Sequence, residues 1–300
     1  MKDFKPSLND VEELMDKHKK EEFTGKKVAI SLLSIVIMLL CQAVGYGMAK
    51  LASYASLPFW TNNIFFGVFY AASAYIMLKW LVETGLGLTL KDCRIGRNAP
   101  GVIWIIMAIV MPIAITWIMI TQPGHMVHND ISASTRHYLI TYAIFNVGLG
   151  SGIVEELVLR GVIMRAVEAK WDRATAVVIP SFVIGFLGLS GIGSSDPVLI
   201  MLTVGCSTMA SIMYSLIALD SNSVWSSCIF HGLWNMVMIG GIVSVGSSST
   251  MSSIYTYVLD LKQVYLTGGD QGIGVSLIAI IAYSVISIFA IYHMKVNKER

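Results

Sequence analysis

Apolar residues fill this chain in eight stretches, each close to the length a helix needs to cross a ~30 Å hydrocarbon layer at ~1.5 Å per residue. They run approximately over 28–49, 58–82, 101–121, 138–165, 174–190, 198–219, 224–245 and 272–294. Ahead of them, Leu8, Val11, Leu14 and His18 recur at helical spacing among Asp, Glu and Lys. That pattern predicts either a short amphipathic helix at the membrane surface or a solvated, frayed one. Residues 240–249 are rich in Gly and Ser and read as a flexible exit from the seventh span. The pattern predicts an all-α, polytopic integral membrane protein of about eight transmembrane helices. Four regions follow: a cytoplasmic amphipathic segment at 1–27, N-terminal transmembrane helices at 28–137, and a core at 138–245. An outer loop, the last helix and a short cytoplasmic tail occupy 246–300.

Composition agrees with the pattern. The chain has 300 residues, 55% hydrophobic and only 13% charged, with a mean hydropathy of +0.68. Soluble domains carry about 25% charged residues, so a pair of soluble domains is excluded. A net charge of +2 without a basic cluster interleaved with aromatics excludes a nucleic-acid partner. Cys41, Cys93, Cys206 and Cys228 are scattered singly, which points to buried thiols rather than disulfides or a structural zinc site. No cleavable signal peptide is visible, so the first span is expected to stay in the chain.

Loop charge sets the expected orientation. Lys26, Lys27, Lys91, Arg94, Arg97, Arg165, Lys170, Arg173, Lys295, Lys298 and Arg300 all fall at one set of span ends. The alternate connections hold only Lys50, Arg136 and Lys262. The positive-inside rule then makes both termini cytoplasmic, in agreement with an even number of spans. A multi-pass protein of a cell membrane is expected, in a bacterial plasma membrane.

Candidate chemistry starts at 151–165, where Glu155, Glu156 and Arg160 interrupt an apolar run. Ionisable groups at membrane depth pair, face a water-filled cavity or do chemistry. Glu156 and Arg160 lie one turn apart on one helix face, which leaves Glu155, rotated by about 100°, free for another role. A purely structural ion pair with a protonated neighbour is the competing reading. In the seventh span His231 and Asn235 also share a face and can hold a developing oxyanion; interhelical hydrogen bonding is the alternative. Phe182, Phe186 and Ser190 run along the fifth span beside Gly185, Gly188, Gly191 and Gly193, a pattern that packing explains. His125, His128 and His137 have no zinc-ligand spacing and read as solvated loop residues. Counting depth along the helices places Glu155 level with Ser190, roughly 25 Å from the turn at 171–173. Convergence of these groups implies a site sunk in the bundle and open to the cytoplasmic side.

Glu155-Glu156-x-x-x-Arg160, followed by His231-x-x-x-Asn235 in a later span, resembles the CAAX protease and bacteriocin-processing family, also called CPBP or Abi. The likeness covers roughly 138–245 and includes the type II CAAX prenyl endopeptidases. It implies a metal-independent, cofactor-free intramembrane endopeptidase acting on a peptide or lipidated protein. Glu155 would be the general base, Arg160 would hold Glu156, and His231 and Asn235 would stabilise the oxyanion. An older proposal for the family makes the same residues metal ligands. The family's middle motif is Phe-x-x-x-His, and here Phe186 is followed by Ser190, which cannot accept a proton near neutral pH. The alternative function is therefore a catalytically impaired member, either regulating a membrane-protein client or conferring bacteriocin self-immunity. A third reading uses the Glu-Glu-Arg cluster as an ion relay in a small transporter.

Overall fold

The computed structural model describes residues 24–96, 99–190, 192–248 and 252–298. The amphipathic segment expected at 1–23 lies outside the described residues. Eight helices account for the eight apolar stretches: α1 (Gly25–Tyr54), α2 (Thr61–Leu86), α3 (Val102–Ile120), α4 (133–170), α5 (Arg173–Leu187), α6 (Pro197–Asp220), α7 (Val224–Met238) and α8 (Leu277–Lys298). Among the described residues, α1, α2, α3, α6 and α8 are each long and apolar enough to cross a membrane, and α5 is a shorter apolar helix. The protein is an all-α polytopic membrane protein. Leu40, Ile113 and Ile288 are more than half exposed, as side chains facing lipid would be.

Local chemistry sets the helix ends. The Ser132 hydroxyl accepts the Thr135 N–H at 3.1 Å and starts α4; the Asp172 carboxylate accepts the Thr175 N–H at 2.9 Å and starts α5. At α6 the Asp196 carboxylate accepts the Val198 N–H, and Pro197 occupies the first helical position, where its missing donor costs nothing. Two wide-turn stretches, Tyr142–Ser151 and Leu157–Ile163, flank the turn Gly152–Glu156 within α4. Such turns recur at functional sites.

The seventh stretch departs from expectation. α7 stops at Met238, and Gly241 turns the chain with φ +74°, a region that favours glycine. Val243–Gly246 is then a strand, β2, rather than a flexible exit. With β1 (Gly124–His128) and β3 (Tyr255–Leu259) it forms a sheet in the order β1-β3-β2, antiparallel on one side and parallel on the other. Long-range pairing of this kind carries no helical or hairpin signal in the sequence.

The two ends of the bundle differ. At one, the buried Glu168 carboxylate accepts from Arg94 at 2.7 and 3.0 Å and from Arg173 at 2.9 Å, with Arg165 at 3.7 Å. On the same side Asp220 accepts from the Trp104 indole at 2.8 Å and pairs with His293 at 2.9 Å, tying together the ends of α3, α6 and α8. The sheet sits at the opposite end. Burial alone would raise the Glu168 carboxyl, but the three guanidinium groups outweigh it and hold it below its ordinary value of 4.5. A depressed carboxyl adds stability that is complete above the unfolded value and is lost as pH falls through the folded one. Glu168→Gln should therefore cost about 3 kcal/mol at neutral pH. It should also flatten the acid-side fall in melting temperature expected of the wild type in detergent below pH 4.5. The four cysteines are buried and unpaired, and burial pushes Cys93, in the α2–α3 connection, up to about 12.

Candidate active site

α4 and α7 touch through glycines. A Cβ on Gly152 would lie 2.5 Å from the Gly232 Cα, and one on Gly232 would lie 2.9 Å from the Gly148 carbonyl oxygen. Only glycine allows this approach, and it sets His231, next to Gly232, against the turn that carries Glu156. The His231 Nδ1 donates to Glu156 Oε1 at 2.9 Å, and Arg160 Nη1 donates to the same oxygen at 2.9 Å. Arg160 Nη2 also donates to the Ser211 carbonyl at 2.9 Å and to its hydroxyl at 2.8 Å, binding α4 to α6. Tyr214 completes the cluster, with its ring stacked on His231 at 4.7 Å and the Arg160 guanidinium 5.4 Å from its centroid. The Glu156 side chain has no exposed surface and Arg160 only 3%. A carboxylate so enclosed is held by its partners rather than offered to a ligand.

Glu155 is different. It is half-buried, its Oε1 accepts a hydrogen bond from the Ser151 hydroxyl, and it lines a cavity of about 900 Å³. His231, 12% exposed at its side chain, and Asn235 line the same cavity. Asn235 Nδ2 donates to the Val147 carbonyl at 3.3 Å, which fixes the amide and leaves its second hydrogen unused there. The structure thus brings together Glu155, Glu156, Arg160, His231 and Asn235.

Ser190 does not join them. α5 ends at Leu187, and the exposed Ser190 hydroxyl donates to the Leu187 carbonyl at 2.7 Å. From this region Ile184, Leu187 and Gly188 line the cavity, whereas Phe182 and Phe186 are more than half exposed. A helix continued to residue 190 would set Ser190 level with Glu155, but the chain turns after Leu187. A Cβ at Gly185 would sit 2.0 Å from the Thr208 hydroxyl, so this stretch does serve packing. Ser190→Ala is expected to change any activity less than about twofold, in line with surface substitutions of about 0.5 kcal/mol, when steady-state rates are compared.

The cavity mouth also departs from expectation. Its outer walls are β2 and the segment 269–275, with Asp270 and Gln271 exposed, so it reaches the sheet end. Glu168 and its arginines, at the other end, are not among its walls. The clusters on Glu168 and Asp220 draw the helices together there.

Tyr214, Ser211 and Ser151 contact the candidate site residues and carry no signal in the motifs above. Ser151 was within reach, four residues before Glu155 and on its face. Tyr214 and Ser211 were not, because nothing local distinguishes them within an apolar helix. His125 and His128 are exposed on β1 and His137 is exposed on α4. No three His, Cys, Asp or Glu side chains among the described residues form a metal-ligand group. Glu156 and His231 face one another as hydrogen-bond partners, which does not fit the role of co-ligands.

Residues 137–237 match the family model described as type II CAAX prenyl endopeptidase Rce1-like. The matched stretch starts in α4 and ends in α7, and so contains every cavity residue named above from Glu155 to Asn235. The match spans 101 of the 300 residues and is a likeness to an Rce1-like domain, consistent with the CPBP family. Comparison with curated proteins gives no match, and neither does comparison with solved structures.

Proposed function

We propose that this protein is an intramembrane endopeptidase in which Glu155 is the general base. The observation that carries the reading is the division between two adjacent carboxylates: Glu156 is enclosed by Arg160 and His231, while Glu155 stands on a cavity wall with one oxygen occupied by Ser151. The unoccupied oxygen of Glu155 takes a proton from a water as that water attacks the scissile carbonyl. The resulting oxyanion is held by Asn235 and by His231. Because Nδ1 of His231 is engaged by Glu156, Nε2 is the ring nitrogen left to face the oxyanion. Glu155 then passes its proton to the leaving amine, so that one water is consumed per bond cleaved.

Both termini lie on the cytoplasmic side in this proposal, since the lysines and arginines gather at the Glu168 end. The protein then resides in a bacterial plasma membrane, and its substrate is a peptide or protein segment.

One observation favours a second reading, a non-catalytic client-binding protein: α5 brings no proton-accepting side chain to the cavity, Ser190 being turned away. Mass spectrometry of a peptide library incubated with the purified protein in nanodiscs decides between them. New peptide termini that require Glu155 are expected. An intact library under conditions where the protein stays folded would overturn the peptidase reading in favour of binding.

A further inference from the structure

The His231 ring is held by hydrogen bonding at one nitrogen. Nδ1 meets Glu156 Oε1 at 2.9 Å, and no partner for Nε2 is found among the described residues. The second torsion of a histidine side chain is broad and roughly twofold. One bond at Nδ1 therefore sets where the ring sits and leaves its tilt open. Nε2, the nitrogen left to face the cavity, goes where that tilt takes it.

Tyr214 closes that freedom. Its ring and the imidazole are stacked, with centroids 4.7 Å apart and planes within 19°, an arrangement that aromatic pairs prefer. Tyr214 is itself buried and held by two neighbours. The Phe230 ring meets it edge-on at 6.1 Å, and the Arg160 guanidinium lies 5.4 Å from its centroid, within reach of the electron-rich face. Arg160 also fixes where on α6 the tyrosine stands. Its Nη2 holds the Ser211 hydroxyl and carbonyl, about one turn before Tyr214 on the same helix face. A chain of contacts thus runs from Arg160 on α4, through Ser211 and Tyr214 on α6, to His231 on α7. It closes on Glu156 Oε1, where Arg160 and His231 both arrive at 2.9 Å.

We infer that Tyr214 is a positioning residue of this site, whose ring fixes the plane of the His231 imidazole and so keeps Nε2 aimed into the cavity. The ring is what acts, since stacking and the guanidinium contact both use its face. A donor to an oxyanion is worth most when it is aimed before charge develops, so the contact matters more to the transition state than to substrate binding. The effect on catalysis rests on the peptidase reading; the hold on the imidazole does not.

The test is the order of the His231 ring, read by solid-state NMR of its C–H bonds in full-length, histidine-labelled protein in nanodiscs, with His231→Gln identifying the signals. An order parameter S² of about 0.85 is expected for the wild type and for Tyr214→Phe, and one below about 0.6 for Tyr214→Leu. Where the leucine variant does not fold, Tyr214→Met, which fills space without a ring, carries the same expectation. An imidazole as ordered in the leucine or methionine variant as in the wild type would overturn the inference. On a peptide that the wild type cleaves, Tyr214→Leu should lower kcat about tenfold, near the upper end of what a stacked pair contributes. KM should stay within about twofold, and Tyr214→Phe should restore kcat to about the same margin. In a His231→Gln background the further loss from Tyr214→Leu should vanish, because a residue that acts through His231 has nothing left to position. An equal loss in that background would overturn the inference, and so would a phenylalanine variant as slow as the leucine one. An imidazole loosened by Tyr214→Leu in a protein that hydrolyses nothing would remove the peptidase reading alone.

Discussion

Glu155→Gln is expected to reduce peptide hydrolysis by about 10²–10⁴-fold, the usual contribution of a positioned general base. The amide keeps the size of the carboxylate and can still accept from Ser151, so the neighbourhood of the side chain is preserved. What it loses is the ability to take a proton from water. Because Glu155 is half-buried and outside the Arg160–Glu156–His231 cluster, the melting temperature in detergent should move little. The measurement is the rate of product formation by mass spectrometry, beside a thermal melt of the same preparation. A rate within threefold of wild type would remove Glu155 from the mechanism.

Arg160→Ala has the opposite profile, a large loss of stability. It leaves the fully enclosed Glu156 without its guanidinium, and it frees the Ser211 hydroxyl and carbonyl from α4. Breaking one partner of a buried ion pair costs roughly 3–5 kcal/mol, because the remaining charge stays out of water. Replacing Glu156 by Gln in the same chain should restore part of that loss, since the stranded charge is then gone. Unfolding in graded sodium dodecyl sulfate, followed by tryptophan fluorescence, gives both numbers. Equal stability of the single and double variants would show that the loss comes from missing Arg160 contacts and not from the buried charge.

The two predictions separate roles that look alike in the sequence, where Glu155 and Glu156 are adjacent and identical. Helical spacing alone pairs Glu156 with Arg160, and the structure has that pair at 2.9 Å. Spacing could not show that His231, 75 residues away, donates to the same oxygen. That contact depends on α4 and α7 meeting at Gly152 and Gly232, a long-range packing event between two unremarkable small residues. Ser190 is the converse. Its place in the Phe-x-x-x-His pattern marks it as a site position, yet α5 unwinds at Leu187 and turns it outward. A motif specifies a face only for as long as the helix lasts.

Periodic signals of length and charge were legible because they are local: an apolar run of about 20 residues has few stable forms in a bilayer other than a helix. Eight helices, their charged ends and the Glu155-Glu156-x-x-x-Arg160 segment follow from the sequence by itself. The sheet does not, since β1 and β3 are more than 120 residues apart and neither carries a span-like signal. The cavity mouth does not either, because it depends on where β2 and 269–275 settle over the helix ends. Sequence determined which groups could carry chemistry at membrane depth. Tertiary structure decided that His231 closes over Glu156, that Ser211 anchors Arg160, and from which end the cavity beside Glu155 is reached, because those outcomes depend on contacts between distant segments.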